Sequence, residues 1–151
     1  FNGPACTARP TAYQHLTSHG ESGRVLVVDA SVLIEVLVGG SRSEGAARAL
    51  AADPEWAAPH CIDAEVLGVV RRDWQRGVID ETTASLAVHD LAMWPGHRIP
   101  HPPLLARSWE LRHVLRSWDA LYVALAEQLD CPLATFDRRL ARAVDIQVVV
   151  P

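Results

Sequence analysis

Lysine is absent from the chain, and all 14 basic residues are arginine. This absence excludes reactions that depend on a lysine side chain, such as nucleotide hydrolysis at a Walker-type phosphate-binding loop. The sequence also has no apolar run approaching the roughly 20 residues that a membrane helix requires. Its N-terminus lacks the charged segment and apolar stretch of a secretory signal. We therefore expect a soluble, cytoplasmic protein that makes no membrane contact.

Cysteine is scarce, and its three positions are far apart: Cys6, Cys61 and Cys131. An odd number at wide spacing argues against a disulfide framework and against a zinc site, so a reducing cytosol fits best. A length of 151 residues suits one domain. Residues 1–23 are poor in aliphatic side chains and show no helical or strand period, so we expect an N-terminal extension at 1–23 and the folded domain at 24–151.

Predicted strands and helices alternate along the rest of the chain. Val25 to Val28 is typical of a strand buried on both faces, and a largely buried helix follows. Ser41 and Glu44 suggest a capping box for a helix to about residue 52. The remaining predicted strands cover 56–58, 97–100, 133–135 and 148–150, and the remaining helices cover 61–75, 81–93, a segment opening at Pro102, a helix from Ser117, and 138–144. This alternation predicts an α/β fold, a three-layer α/β/α sandwich with a central, mostly parallel twisted sheet.

Four acids stand out by their positions in these elements. Asp29 directly follows the first strand, Asp137 follows the strand at 133–135, Asp119 lies at the start of a helix, and Glu65 lies beside the apolar stripe of the helix at 61–75. The three aspartates could simply be helix caps, and Glu65 could be a tolerated boundary residue. Because ligands bind at the carboxyl ends of parallel strands, the same positions also predict one shared site.

The chemistry of such a site follows from its charge. Four carboxylates cannot share a pocket as anions without a counter-charge. Oxygen ligands without cysteine or histidine favour Mg²⁺ or Mn²⁺ over zinc, and a water molecule activated there can attack a phosphodiester. The net charge of −4 is unusual for a nucleic-acid-binding protein. It is less decisive here, because without these four acids the chain carries equal numbers of basic and acidic residues.

Four segments carry a resemblance to a known family: VVDASVLIEVL, DAEVLGVVRR, SWDALYVALAEQL and LATFDRRLARA. They resemble, in order, the four acid-bearing motifs of PIN-domain proteins, and specifically of VapC toxins from bacterial toxin–antitoxin pairs. The match runs from Val25 to Val150. The resemblance implies a metal-dependent ribonuclease that cleaves RNA and is held inactive by a VapB-like antitoxin, as a homodimer or a larger toxin–antitoxin assembly.

The resemblance also implies roles for individual residues. The catalytic and metal-binding positions would be Asp29, Glu65, Asp119 and Asp137. Ser31 and Thr135 match small hydroxyl positions that support the site. Arg112 and Arg116, expected on one exposed side of a helix, match more loosely a contact to RNA phosphate or to an antitoxin carboxylate, and a merely solvated face is the alternative. The chain departs from the pattern in residues 1–23 and in Trp118, where tyrosine is frequent.

Other functions compete with this interpretation. A haloacid-dehalogenase-like phosphatase is excluded, because it needs a second aspartate where Ser31 stands and a later lysine. A DNA-directed nuclease of the broader PIN group shares the acids. A PIN fold that only binds an antitoxin or RNA is a further alternative, which the presence of all four acids disfavours.

Overall fold

The computed structural model describes residues 25–53 and 55–151. Residues 1–24 lie outside this part, and with them the predicted extension at 1–23. The strands are β1 (Val25–Val28), β2 (Glu55–Pro59), β3 (His97–Ile99), β4 (Leu133–Ala134) and β5 (Val148–Val149). The helices are α1 (Ala30–Val38), α2 (Ser43–Ala51), α3 (Cys61–Gln75), α4 (Glu81–Met93), α5 (Leu105–Glu110), α6 (Ser117–Leu129) and α7 (Arg138–Ala143). Short 3₁₀ turns at Pro102–Leu104 and Leu111–His113 flank α5.

The five strands form one sheet in the order β3-β2-β1-β4-β5, and every pairing is parallel. Strand β1 lies at the centre, with Val27 paired to Ala57 on one side and to Leu133 on the other. All four of its residues are buried, as its unbroken apolar run predicts. The predicted α/β/α sandwich is confirmed, with a sheet that is fully rather than mostly parallel.

The order of the strands changes direction between β1 and β4, and this change determines where the candidate site lies. From β1 the chain proceeds to β2 and β3, and from β4 it proceeds to β5 on the other side. Right-handed crossovers therefore place the connecting helices of the two halves on opposite faces. Helix α1 packs on α2, α3 and α4, whereas α6 packs on β1, β2 and β4. The carboxyl ends of β1 and β4 thus open into a crevice between the helical layers.

The prediction for α3 is confirmed, and residues Gly77 and Asp80 explain where α3 ends and α4 begins. Helix α3 spans the predicted residues 61–75, and Gly77 after it has the left-handed φ of +69° that favours glycine. Asp80 caps α4, because its side chain accepts a hydrogen bond from the Thr83 amide at 2.7 Å. No helix in the described part of the chain is long and apolar enough to cross a membrane.

Two local predictions are wrong. The capping box does not form: α2 begins at Ser43 without a side-chain cap, and Glu44 instead pairs with Arg48 one turn on. The segment after Pro102 is also not one continuous helix, since two 3₁₀ turns interrupt it. Helical spacing from Pro102 predicts that Leu105 and Trp109 face inward. This expectation is wrong too, since the two residues are 55% and 68% exposed.

Candidate active site

Asp29 occupies the position before α1, but its side chain does not cap the helix. Its Oδ2 atom instead accepts hydrogen bonds from the hydroxyl of Ser31 at 2.6 Å and from the hydroxyl of Thr135 at 2.7 Å. No hydrogen bond to Oδ1 occurs within the described residues. The local alternative, a capping aspartate, therefore does not account for this carboxylate.

The two hydroxyl groups also connect the loop after β1 to the loop after β4. The Ser31 hydroxyl accepts a hydrogen bond from the amide of Phe136 at 3.1 Å, and the Thr135 hydroxyl accepts one from the amide of Asp137 at 3.0 Å. Thr135 is fully buried. It is the only buried polar or charged residue in the described part of the chain. The carboxylate of Asp29 is thus held by two groups whose own positions are set by backbone hydrogen bonds.

Asp137 does act as a helix cap. Its Oδ1 atom accepts hydrogen bonds from the amides of Arg139 and Leu140, at 2.7 and 3.3 Å, at the start of α7. The side chain is exposed, and within the described residues its second oxygen accepts no hydrogen bond. One oxygen of Asp137 is therefore committed to the helix, and the other remains available to a ligand.

Glu65 projects from the middle of α3 into half-buried surroundings. Its Oε1 atom accepts a hydrogen bond of 2.9 Å from the hydroxyl of Tyr122, which is almost fully buried on α6. Burial raises the pKa of Glu65, and the charges of Asp29 and Asp119 raise it further, whereas hydrogen bonds from Tyr122 and Cys61 lower it. The anionic form of Glu65 is therefore costly in this environment.

Asp119 is the third residue of α6, and the cap-like position predicted for it is wrong: Arg116 precedes the helix. The side chain is half-buried. Burial is the main reason that its pKa is raised, followed by the charges of Asp29 and Asp137, while Arg116 acts in the opposite direction. Asp119 thus also carries its negative charge at a cost.

The fold brings these acids to one edge of the sheet, where they act on one another electrostatically. The donor chemistry, all carboxylate and hydroxyl oxygens with excess negative charge, fits a hard divalent cation. In residues 25–53 and 55–151, however, no three histidine, cysteine, aspartate or glutamate side chains already stand in an arrangement that could hold a metal ion. The ligand roles of the four acids therefore stay predictions.

The two arginines do not share a helix face as expected. Arg112 lies in the 3₁₀ turn after α5, and Arg116 directly precedes α6. Both line a cavity of about 540 Å³ between α5 and α6. Arg116 is near enough to Asp119 to affect its pKa, whereas Arg112 lies over the ring of Trp109.

Sequence reasoning missed one residue of the site, Tyr122. It follows Asp119 by three positions, so both lie on nearly the same face of α6. Tyrosine inside an otherwise Ala- and Leu-rich buried helix was the available signal, because a buried tyrosine hydroxyl requires a hydrogen-bond partner.

Comparison with known proteins shows which family this sequence resembles. The PIN domain family model matches residues 26–146. Ribonuclease VapC1 of Mycobacterium tuberculosis strain H37Rv is 42% identical over 118 residues, which cover 78% of this chain and 89% of that protein. The residues that the family model matches include Asp29, Glu65, Asp119 and Asp137, together with Ser31 and Thr135.

Two solved structures share the fold. The crystal structure of PAE2754 from Pyrobaculum aerophilum superposes with a TM-score of 0.67 at 20% identity, covering 93% of this chain and 91% of that one. The structure of VapBC2 from Rickettsia felis bound to a DNA fragment from their promoter gives a TM-score of 0.60 at 12% identity, covering 83% and 97%. At these identities the likeness concerns the fold alone.

Proposed function

Because this chain belongs to the PIN domain family, and within it to the VapC ribonucleases, we propose that it is a metal-dependent endoribonuclease toxin controlled by a VapB-like antitoxin. The folded domain would span residues 24–151, with 1–23 outside its core. The active form would be a homodimer or part of a toxin–antitoxin assembly.

The observation that carries the proposal is the carboxylate of Asp29. A capping aspartate would accept amide hydrogen bonds from its own helix. Asp29 instead accepts two hydroxyl hydrogen bonds on Oδ2, which orient the side chain and leave Oδ1 without a partner among the described residues. An oriented carboxylate next to two acids of raised pKa is typical of a functional site.

The cation would be Mg²⁺ or Mn²⁺, and its ligands would come from Asp29, Glu65, Asp119 and Asp137. When bound, such an ion increases the acidity of a coordinated water and stabilises the charge that develops on a phosphodiester during hydrolysis. The carboxylates that repel one another in the metal-free chain would then gain a shared counter-charge.

The chain's own groups would orient the reactants and accept a proton. Tyr122 holds Glu65 through Oε1, and Ser31 and Thr135 hold Asp29. The carboxylate of Asp119 accepts no hydrogen bond from the described residues, so its oxygens are open to a water molecule. We assign to Asp119 the removal of a proton from the attacking water.

The antitoxin proposal rests on family membership and on the solved VapBC2 assembly. Within such an assembly, Arg112 and Arg116 are candidates for contact with an antitoxin carboxylate or with RNA phosphate.

The test is cleavage of total cellular RNA by the antitoxin-free chain with Mg²⁺, with Mn²⁺ and with chelator. Asp119→Asn should abolish most cleavage and weaken Mn²⁺ binding measured by calorimetry, while leaving the circular dichroism spectrum unchanged. Asp80→Asn is the matched control, because Asp80 only caps a helix and asparagine caps about equally well. Metal-independent cleavage, or cleavage retained by Asp119→Asn, would contradict the proposal, and cleavage of DNA but not RNA would favour a DNA-directed enzyme.

A further inference from the structure

The cavity between α5 and α6 has an exposed aromatic wall that the acidic site does not use. Trp109 is 68% exposed although the guanidinium of Arg112 lies over its ring at 4.7 Å from the centroid. Arg112 also donates a hydrogen bond of 2.7 Å to the backbone carbonyl of Trp109. One face of the indole is thus covered by a cation of this chain, and a large part of the residue remains open.

This aromatic wall is tied to the helix that carries the acidic site. Ser108, the neighbour of Trp109, directs its hydroxyl hydrogen to two acceptors, the carbonyls of Leu104 at 2.9 Å and of Ala120 at 3.2 Å. Ala120 directly follows Asp119 on α6. The position of Trp109 is therefore set relative to Asp119 by contacts between α5 and α6.

The charges beside Trp109 suit a polyanion. Arg107 is neutralised by Glu110 and Glu127. In the described part of the chain, by contrast, neither Arg112 nor Arg116 forms a salt bridge. Although the net charge of the chain is −4, these two arginines are not neutralised by an acidic partner, so they can contact a phosphate backbone. The exposed indole can stack on a base.

We propose that Trp109 is a substrate-positioning residue, on which an unpaired RNA base stacks while Arg112 and Arg116 contact the adjoining phosphates. This inference rests on the proposed ribonuclease function and adds to it one specific contact, between Trp109 and a base that is splayed out of the stack. A duplex keeps its bases stacked inside and offers no such partner.

A second copy of the chain is the competing occupant of this surface. In a twofold dimer, the same surface of each copy would face the other. The unpaired arginines of both copies would then lie in one interface and repel one another. Charge therefore favours RNA. Another exposed groove, between α3 and α4, contains Trp74, but Glu81 lies there beside Arg71, so this groove is not lined by positive charge alone.

The experiment measures binding in the presence of chelator, so that it does not depend on cleavage. Fluorescence polarisation would compare labelled oligo(U) of about ten nucleotides with an abasic ribose-phosphate oligomer of equal length. The full chain should bind oligo(U) more tightly, and Trp109→Ala should weaken oligo(U) binding on the order of tenfold without changing binding of the abasic oligomer. Trp109→Phe should retain most of the difference between the two probes.

Trp74→Ala is the matched control, since Trp74 is also exposed, at 44%, and lies nine residues beyond Glu65 on α3. The inference is overturned if Trp109→Ala binds both probes as the unaltered chain does, or if it changes the molar mass in light scattering while oligo(U) binding is retained. If the unaltered chain neither binds nor cleaves RNA, the proposed function fails as well. If the chain cleaves RNA and Trp109→Ala binds normally, only this inference fails.

Discussion

Replacing Thr135 with valine removes a hydroxyl group that makes two hydrogen bonds at a fully buried position. The hydroxyl donates to the carboxylate of Asp29 at 2.7 Å and accepts from the amide of Asp137 at 3.0 Å. Valine has nearly the same volume, so the change creates no cavity. The change removes one of the two hydrogen-bond donors to Oδ2 of Asp29, and it leaves the amide of Asp137 without its acceptor.

The expected cost follows from these two bonds. A hydrogen bond to a charged group contributes about 1.5–3 kcal/mol and a neutral one about 0.5–1.5 kcal/mol. Because Ser31 still donates to the same oxygen of Asp29, part of the first contribution is retained. We therefore expect Thr135→Val to lower the free energy of unfolding by about 2–3 kcal/mol. A domain of this size should remain folded after that loss.

The assay is urea unfolding followed by circular dichroism, with chelator present throughout. Thr135→Ser keeps the hydroxyl and loses one methyl group, which costs about 1 kcal/mol. Thr82→Val, at an exposed position on α4, should change stability by less than about 0.5 kcal/mol. Calorimetry should also show that Thr135→Val weakens Mn²⁺ binding about 10- to 100-fold and that Thr135→Ser does not. If the valine variant is no less stable than the serine variant, the hydroxyl hydrogen bonds do not contribute as described.

Three further predictions concern protonation and the fold. Tyr122→Phe removes a hydrogen bond that lowers the pKa of Glu65, so the pH at which Mn²⁺ binding is half-maximal should move upward in a calorimetric titration, and an unchanged pH would refute this. The pKa of Asp119 is raised in the folded chain. At a pH above that pKa, the charge of Asp119 therefore lowers the free energy of unfolding. At a pH below the ordinary pKa of an aspartate, the residue is protonated in both states and the effect is absent. Asp119→Asn should therefore stabilise the metal-free chain against urea at neutral pH, and the gain should disappear on acidification; a gain that is independent of pH would contradict the reasoning. Arg98 binds both oxygens of Asp63 and backbone carbonyls at the end of α4, so Arg98→Lys should cost about 2 kcal/mol, and a thermal unfolding midpoint within error of the unaltered chain would be the opposing result.

The parallel sheet and its central strand were predictable from local pattern. The apolar residues Val25 to Val28 have no polar alternation, which only a strand covered on both faces tolerates. Helix α3 was predicted to its last residue, because an apolar stripe of helical period ends shortly before Gly77. Both signals act within a few residues of the position that they determine.

The segment around α5 shows where local pattern is insufficient. Helical spacing placed Trp109 inward. The 3₁₀ turns before and after α5 have a different number of residues per turn, so the face of α5 that contacts the core is not the one that α-helical spacing predicts. The direction of a side chain in so short an element depends on contacts such as that between Ser108 and the carbonyl of Ala120. Those contacts join segments that the sequence does not show to be neighbours.

The amino-acid sequence was sufficient to predict which acids lie at the ends of elements and the order in which they occur, since strand and helix signals are local. It did not show which aspartates would cap a helix, because Asp29, Asp80 and Asp137 each directly precede one. The folded chain shows that Asp80 and Asp137 accept hydrogen bonds from the amides of their own helices, whereas Asp29 accepts them from hydroxyl groups that include one 106 residues away. It likewise paired Tyr122 with Glu65. Hydrogen bonds between distant segments depend on how the sheet and helices pack, and a local sequence pattern does not predict that packing.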